Sequence, residues 1–263
     1  MDAEQQPEVK RLKFTIAYDG APWHGWQTLP AGHTVQDQLE AALEKIAGVP
    51  VRTHGSGRTD SGVHALGQVA HGDVPASAKL SGADWTRALN AVLPASIRVM
   101  RSEFVAADFH ARYDAQGKIY RYRIWRPNVM SPFEVGRAWH VYGALDVDAV
   151  RESVRVLVGT HNFSRLSANR GGITEEERRR NAKDVTRTLT RVEVREQEDT
   201  LEIEVEGDGF LYKMVRLIVG SLIHVARGRA DVAWFHSLIE DPTGPKSHRV
   251  APADGLCLVA VKY

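Results

Sequence analysis

Two halves of the chain repeat one order of hydrophobic period, and this repetition limits the possible folds more than any composition figure. Residues 11–20, RLKFTIAYDG, alternate apolar and polar and end in a turn, as a half-buried strand does. Thr34 opens a helical stretch with Asp37 in the capping-box position, Val35, Leu39, Leu43 and Ile46 on one face, and Gly48 as its stop. VRTHGS (51–56) and ALGQVAHGDV (65–74) read as strands. Ser81 and Asp84 repeat the capping box before a helix carrying Trp85, Leu89 and Val92; Pro94 closes it and IRVMRSEFV (97–105) follows as a strand. From 118 the order recurs. KIYRYRIW (118–125) is a strand, and 146–158 a helix with Val147, Val150, Val154 and Leu157 inward. VTRTLTRVEVRE and TLEIEVEG form a hairpin turning near 197–199, an apolar helix spans 210–226, and LCLVAVKY (256–263) is the last strand.

This pattern predicts an α+β fold of two tandem ferredoxin-like β-α-β-β-α-β halves, with their sheets meeting at a central catalytic cleft. The expected divisions are a disordered tail over 1–11, an N-terminal half over 12–108 and a C-terminal half over 109–263. A chain of 263 residues is long enough to bury a core in each half. Its one cysteine, Cys257, excludes an internal disulfide framework and a cysteine-rich zinc site. The start, MDAEQQPEVKR, is too polar for a signal peptide, and the apolar run 210–226 is short for a span and carries Lys213 and Arg216. The expected location is the cytoplasm, with no membrane partner.

A formal net charge of +1 argues against a generally basic, sequence-blind nucleic-acid binder. The positive charge is nonetheless mostly arginine, 25 against 9 lysines, and arginine suits forked contacts to phosphate and stacking on bases. Three places could carry chemistry. GSGRTDSGVHALGQVAH (55–71) sets Arg58 and Asp60 among Gly55, Gly57 and Gly62 with no helical or strand period, so it is either an ordinary loop or a site. ARYDAQGKIYRYRIWR (111–126) interleaves Arg112, Arg121 and Arg123 with Tyr113, Tyr120 and Tyr122. That strand reads equally as aromatic core with solvated arginines or as a base-stacking and phosphate-binding surface. Arg216 stands in a run so apolar that its guanidinium needs a buried partner, for which Asp60 is the best carboxylate.

Other features read more plainly. Glu202, Glu204 and Glu206 alternate with Leu201, Ile203 and Val205, which predicts a strand with a solvated face. The polar stretch 165–184 reads as a surface insertion, or as a phosphate contact through Arg178 to Arg180 and Lys183. His54, Asp60, His64 and His71 match no zinc spacing, and Ser56 lacks the G-x-S-x-G elbow of a nucleophile.

GRTDSGVHALGQVAH resembles the signature of the tRNA pseudouridine synthase A family, as do YDGAPWHGWQ (18–27), FHARYDAQGKIYRY (109–122), GFLYKMVRLIVGSL (209–222) and APADGLCLVAVKY (251–263). The matches come in order from about residue 12 to the end. The resemblance implies a homodimeric enzyme, without cofactor or catalytic metal, that isomerises uridines 38, 39 and 40 of the tRNA anticodon stem-loop to pseudouridine. It implies Asp60 as the catalytic aspartate, Tyr120 packed on the target uracil, and Arg216 as the cation beside Asp60. Arg58 would hold the nucleotide out of its stem. Arg112, Arg121 and Arg123 are the expected RNA-binding surface. A non-catalytic RNA-binding protein on the same fold, and a metal-dependent hydrolase using Asp60 and its histidines, are the rival readings.

Overall fold

A computed structural model describes residues 8–169 and 185–263. The chain divides into two compact units, Met1–Gln116 with Leu258–Tyr263, and Gly117–Cys257. The first seven residues, and residues 170–184 with Arg178 to Arg180 and Lys183, lie outside the described residues, so the expectations for them stand where the sequence left them.

The first unit contains β1 (Val9–Tyr18), α1 (Val35–Ala47), β2 (Thr53–Gly55), β3 (His64–Pro75), α2 (Gly82–Val92) and β4 (Ile97–Phe104). Val9, Lys10 and Arg11, inside the stretch expected to be a tail, already pair with Pro75, Val74 and Asp73. β1 lies between β3 and β4, antiparallel to both, and β2 pairs antiparallel with β3. Alternation on β1 puts Leu12, Phe14 and Ile16 in the core, where Val35, Leu39 and Leu43 of α1 and Trp85 and Leu89 of α2 are also buried. Both capping boxes form as expected: Thr34 and Ser81 accept the N–H groups of Asp37 and Asp84, whose carboxylates return the contact. Gly48 ends α1 at φ 72, a left-handed value that favours glycine.

The second unit contains β5 (Gly117–Trp125), β6 (Trp139–His140), α3 (Val147–Ser153), β7 (Gly159–Asn162), β8 (Thr186–Glu196), β9 (Thr200–Gly207), α4 (Met214–Ala226) and α5 (Val232–Glu240). Its strand order is β5-β9-β8-β7, with β6 beside β5. The final strand, β10 (Leu256–Lys262), returns the chain to the first unit, where it runs beside β3. There a side chain on Gly67 would meet the Val259 carbonyl at 2.6 Å, so glycine permits the approach.

Three expectations are corrected. The helix expected over 146–158 is α3 followed by a tighter 3-10 turn over Val154–Leu157. The helix expected from 210 begins at Met214: Lys213 is left-handed, with φ 58, and the Met214 N–H turns back to the Leu211 carbonyl at 3.1 Å. The glutamate row on β9 is not a solvated face. Glu202 and Glu204 are 9% and 6% exposed, because the flanking strands bring arginines over them. Arg121 and Arg123 of β5 stand opposite Glu204 and Glu202 in register. Arg121 reaches Glu204 at 3.0 Å, Arg123 reaches Glu202 at 3.3 Å and Glu134 at 2.8 Å, and Arg191 of β8 reaches Glu204 at 2.8 Å.

Burial pushes the Glu204 carboxyl upward, but hydrogen bonds from Arg121 and Arg191 outweigh it and hold the group below the usual carboxylate range. A carboxylate depressed in the folded state contributes stability above its unfolded pKa and loses it as pH falls through the folded value. Removing one partner of such a pair is strongly destabilising, about 3–5 kcal/mol when burial is complete and less here, where the arginines remain about one-third exposed. Glu204→Gln is therefore expected to unfold at lower denaturant than wild type at pH 7. The gap should narrow as pH drops below about 4, the ordinary carboxylate range; denaturant melts at pH 7, 5, 4 and 3 check this.

Candidate active site

The segment 55–63 joins β2 to β3, and its backbone is held from two sides. On one side, the Ser56 N–H donates to the Val69 carbonyl at 2.7 Å, and the Ser56 hydroxyl donates to Gln68 Oε1 at 2.7 Å. Gln68 Nε2 then donates to the Gly57 carbonyl at 3.0 Å, and the Tyr18 hydroxyl meets Thr59 Oγ1 at 2.8 Å. On the other side lies Trp23–Trp26. The Trp26 N–H donates to the Thr59 carbonyl at 3.2 Å, and the Ser61 hydroxyl to the Trp23 carbonyl at 3.2 Å. Gly25, at φ 93, passes so close that a side chain there would sit 2.7 Å from the Thr59 carbonyl oxygen.

Asp60 sits in the turn these contacts brace. Val63 N–H closes it on the Asp60 carbonyl at 3.1 Å, and Gly62 takes φ 81. Asp60 is half-buried and Arg58 is exposed. The glycines therefore serve the protein's own packing before any RNA: Gly62 supplies a left-handed residue, and a side chain on Gly55 would enter the Trp26 indole. Ser56 is buried and spends its hydroxyl on Gln68. The braces Gln68, Trp26, Thr59 and Tyr18 were not singled out in the sequence, although Tyr18 and Trp26 lie within one quoted motif and Thr59 and Gln68 within another.

In the second unit Tyr120 lies on the buried face of β5, 8% exposed, with Phe210 edge-on at 5.0 Å between centroids. Tyr122, on the same face, donates its hydroxyl to the Pro252 carbonyl at 2.8 Å. Burial pushes that hydroxyl's pKa well above its ordinary value, with Arg216 opposing the shift. Arg216 is half-buried on α4. Its Nε donates to the Ala251 carbonyl at 2.8 Å while the Ala251 N–H donates to the Arg216 carbonyl at 3.0 Å. Four residues on, the Gly255 carbonyl accepts the Arg123 N–H at 2.8 Å, and a side chain at Gly255 would strike the Tyr122 ring. Residues 251–255 thus fasten the strand of Tyr120 to the helix of Arg216.

Arg112 is exposed, its guanidinium 5.9 Å from the Tyr113 ring centre. Arg121 and Arg123 are committed to the glutamates of the sheet. Among the described residues no group of three His, Cys, Asp or Glu is placed to hold a metal ion. His54 and His110 instead pack their rings on His71, at 5.2 and 4.7 Å, beside the Arg11–Asp73 ion pair in a cleft of about 260 Å³. His71 Nδ1 accepts the Ala111 N–H at 3.1 Å, and burial, with Arg11 nearby, pushes its pKa down to about 4.

The quoted segments belong to a class of enzymes, isomerases acting on tRNA. A family model described as tRNA pseudouridine synthase matches residues 15–114 and 154–263, and the chain belongs to that family. A tRNA pseudouridine synthase A of Akkermansia muciniphila is 44% identical over 256 residues, covering 97% of this chain and 96% of the relative. Those of Solidesulfovibrio magneticus and Lacticaseibacillus casei are 42% and 41% identical, covering 97% of this chain and 92% and 100% of their own lengths.

Gln68→Leu would remove the hydrogen bonds that Gln68 makes to the Ser56 hydroxyl and the Gly57 carbonyl. Each such bond contributes about 0.5–1.5 kcal/mol net. The variant is expected to melt earlier and to convert an unmodified tRNA transcript more slowly than wild type, measured by thermal denaturation and by pseudouridine formation.

Proposed function

We propose that this protein isomerises uridines 38, 39 and 40 of the tRNA anticodon stem-loop to pseudouridine, with Asp60 as its single catalytic carboxylate. The observation that carries the reading is the turn at 59–63, whose backbone is pinned on both sides around Asp60 while the preceding Arg58 is exposed. Such bracing fixes a reacting group in space, which reduces the entropy lost on reaching the transition state.

The reaction breaks the N1–C1′ bond, turns the uracil and joins C5 to C1′. Water must stay out and the free base must stay in place, so the second carboxylate that hydrolysis of a glycoside requires has no counterpart here. Asp60 acts as nucleophile or base, and Arg216 is assigned as the basic residue that serves the same target uridine. Tyr120 packs on the uracil, its ring held by Phe210. Arg58 holds the nucleotide out of its stem, where unstacking costs a few kcal/mol. No cofactor or metal enters this scheme.

The two halves are read as tandem ferredoxin-like units. Support comes from the first, whose order β4-β1-β3 with β2 outside β3 is what a β-α-β-β-α-β chain gives when it forms one antiparallel sheet. We infer a homodimer, acting in the cytoplasm, since a stem-loop held by one subunit can rest its far backbone on the other. Among the described residues no helix is long and apolar enough to cross a membrane.

Incubation of wild type with unmodified tRNA transcript in EDTA, followed by pseudouridine mapping, is expected to give product at 38–40. Asp60→Asn, which keeps the side-chain volume, should give none while binding tRNA within about twofold of wild type. Wild-type product elsewhere, or an active Asp60→Asn, overturns the assignment.

RNA affinity in a chain of net charge +1 must come from a local basic surface. We assign its largest share to the exposed Arg58 and Arg112, and a smaller one to Arg121 and Arg123, whose charges are partly met by glutamates. Arg58→Ala or Arg112→Ala is expected to lower the slope of log affinity against log salt by about one. The Arg121→Ala, Arg123→Ala pair should lower it by less, in titrations from low to high salt.

A further inference from the structure

Arg165 opens the polar stretch expected to be a surface insertion, and there the expectation is corrected: it is 4% exposed, and the next residue, Leu166, is fully buried. A guanidinium so deeply placed needs acceptors on its donors, and here they are backbone carbonyls. Nη1 donates to the carbonyls of Ser237 and Asp241, at 2.6 and 2.8 Å, at the C-terminal end of α5. Nε donates to the Pro245 carbonyl at 2.7 Å. The Asp241 carboxylate, more than half exposed, comes no nearer than 4.0 Å. Gly244 makes room, because a side chain there would sit 2.6 Å from the guanidinium carbon. A rigid planar fork meets acceptors spread in this way, whereas an ammonium is a point charge.

The contact continues through the following residues. The Arg165 carbonyl accepts the Ser247 N–H at 2.9 Å. The Ser247 hydroxyl meets the Ser221 hydroxyl of α4 at 2.7 Å, and accepts the Arg249 N–H at 3.2 Å. Gly220 of α4 lies so close that a side chain on it would run into the Arg249 carbonyl. Two residues later Ala251 makes its reciprocal pair with Arg216. Residues 245–251 form a strap with Arg165 at one end, Ser221 in the middle and Arg216 at the other.

We propose that Arg165 is a positioning residue for Arg216. By fixing the strap, it fixes the carbonyl that orients the Arg216 guanidinium, and at 4% exposure it does so without touching RNA. This rests on the assignment of Arg216 to the target uridine, and the test separates the two. Single-turnover rate, tRNA affinity and melting temperature are measured for Arg165→Lys and Arg165→Gln, each alone and combined with Arg216→Lys.

Misplacement of a reacting group by an ångström slows a reaction by up to about a hundredfold, so a loss of about tenfold is expected from Arg165→Lys and more from Arg165→Gln. Affinity should stay within about twofold. In the Arg216→Lys background Arg165→Lys should cause little further loss, the non-additivity of residues acting as a unit. A purely structural role would lower the melting temperature and multiply with Arg216→Lys. Should Arg165→Gln fail to fold, Ser221→Ala cuts the strap at its middle with Arg165 in place and should slow the same step. Wild-type rate in Arg165→Lys, or full multiplication of the two losses, overturns the proposal. Wild-type rate in Arg216→Lys alone overturns the assignment beneath it.

Discussion

A charge on an otherwise apolar helix must be met, and the second unit meets Arg216 with a backbone carbonyl. Around that carbonyl, Ala251, several features fall into place. Tyr122 donates to the adjacent Pro252, Gly220 and Gly255 give up side chains so that the segment can lie flush, and Ala251 returns a bond to Arg216 itself. An acceptor on the main chain cannot be protonated or rotate away as a carboxylate can, and it brings no compensating charge. The guanidinium is thereby oriented, at its Nε, by a neutral main-chain acceptor.

The first unit holds its acid by a different economy. Asp60 belongs to a short turn, and neutral bonds from Gln68, Trp26 and Tyr18 fix the residues around it. Both solutions rely on glycine where backbone approaches backbone, at Gly25 and at Gly220. The burial of Gln68 completes the brace: an amide carries both donor and acceptor, so one side chain serves Ser56 and Gly57 together.

Local rules were legible in the sequence, and tertiary ones were not. Thr34 with Asp37, Ser81 with Asp84, and the alternation on β1 and β5 state their structure within a few residues. Arg58 and Asp60 stood out by residue type among glycines. The glutamate row misled because alternation reports two faces but not what covers each; that depends on which strands flank β9. Nor does residue type announce a left-handed lysine at 213. β6 and β7 are too short to show a period, and α5, which opens on the Asp231 cap, was passed over. The braces of Asp60 are spread from Tyr18 to Gln68 and meet only after folding. Arg165 gave no signal, since its acceptors lie about eighty residues away on the main chain.

The ion pairs across β5, β9 and β8 also bear on how the sheet is assembled. Side chains alternate along a strand, so a slip of one residue between β5 and β9 would exchange the two faces of the pairing. Arg121 would then oppose Val205 or Ile203, and Tyr120 would oppose a glutamate, in place of the observed Arg121–Glu204 and Tyr120–Val205 partners. A wholly apolar sheet would tolerate that error more easily. Here the wrong alignment strands charge against hydrocarbon on both strands at once. The charged rows thereby favour the observed register of β5 and β9 over one slipped by a residue.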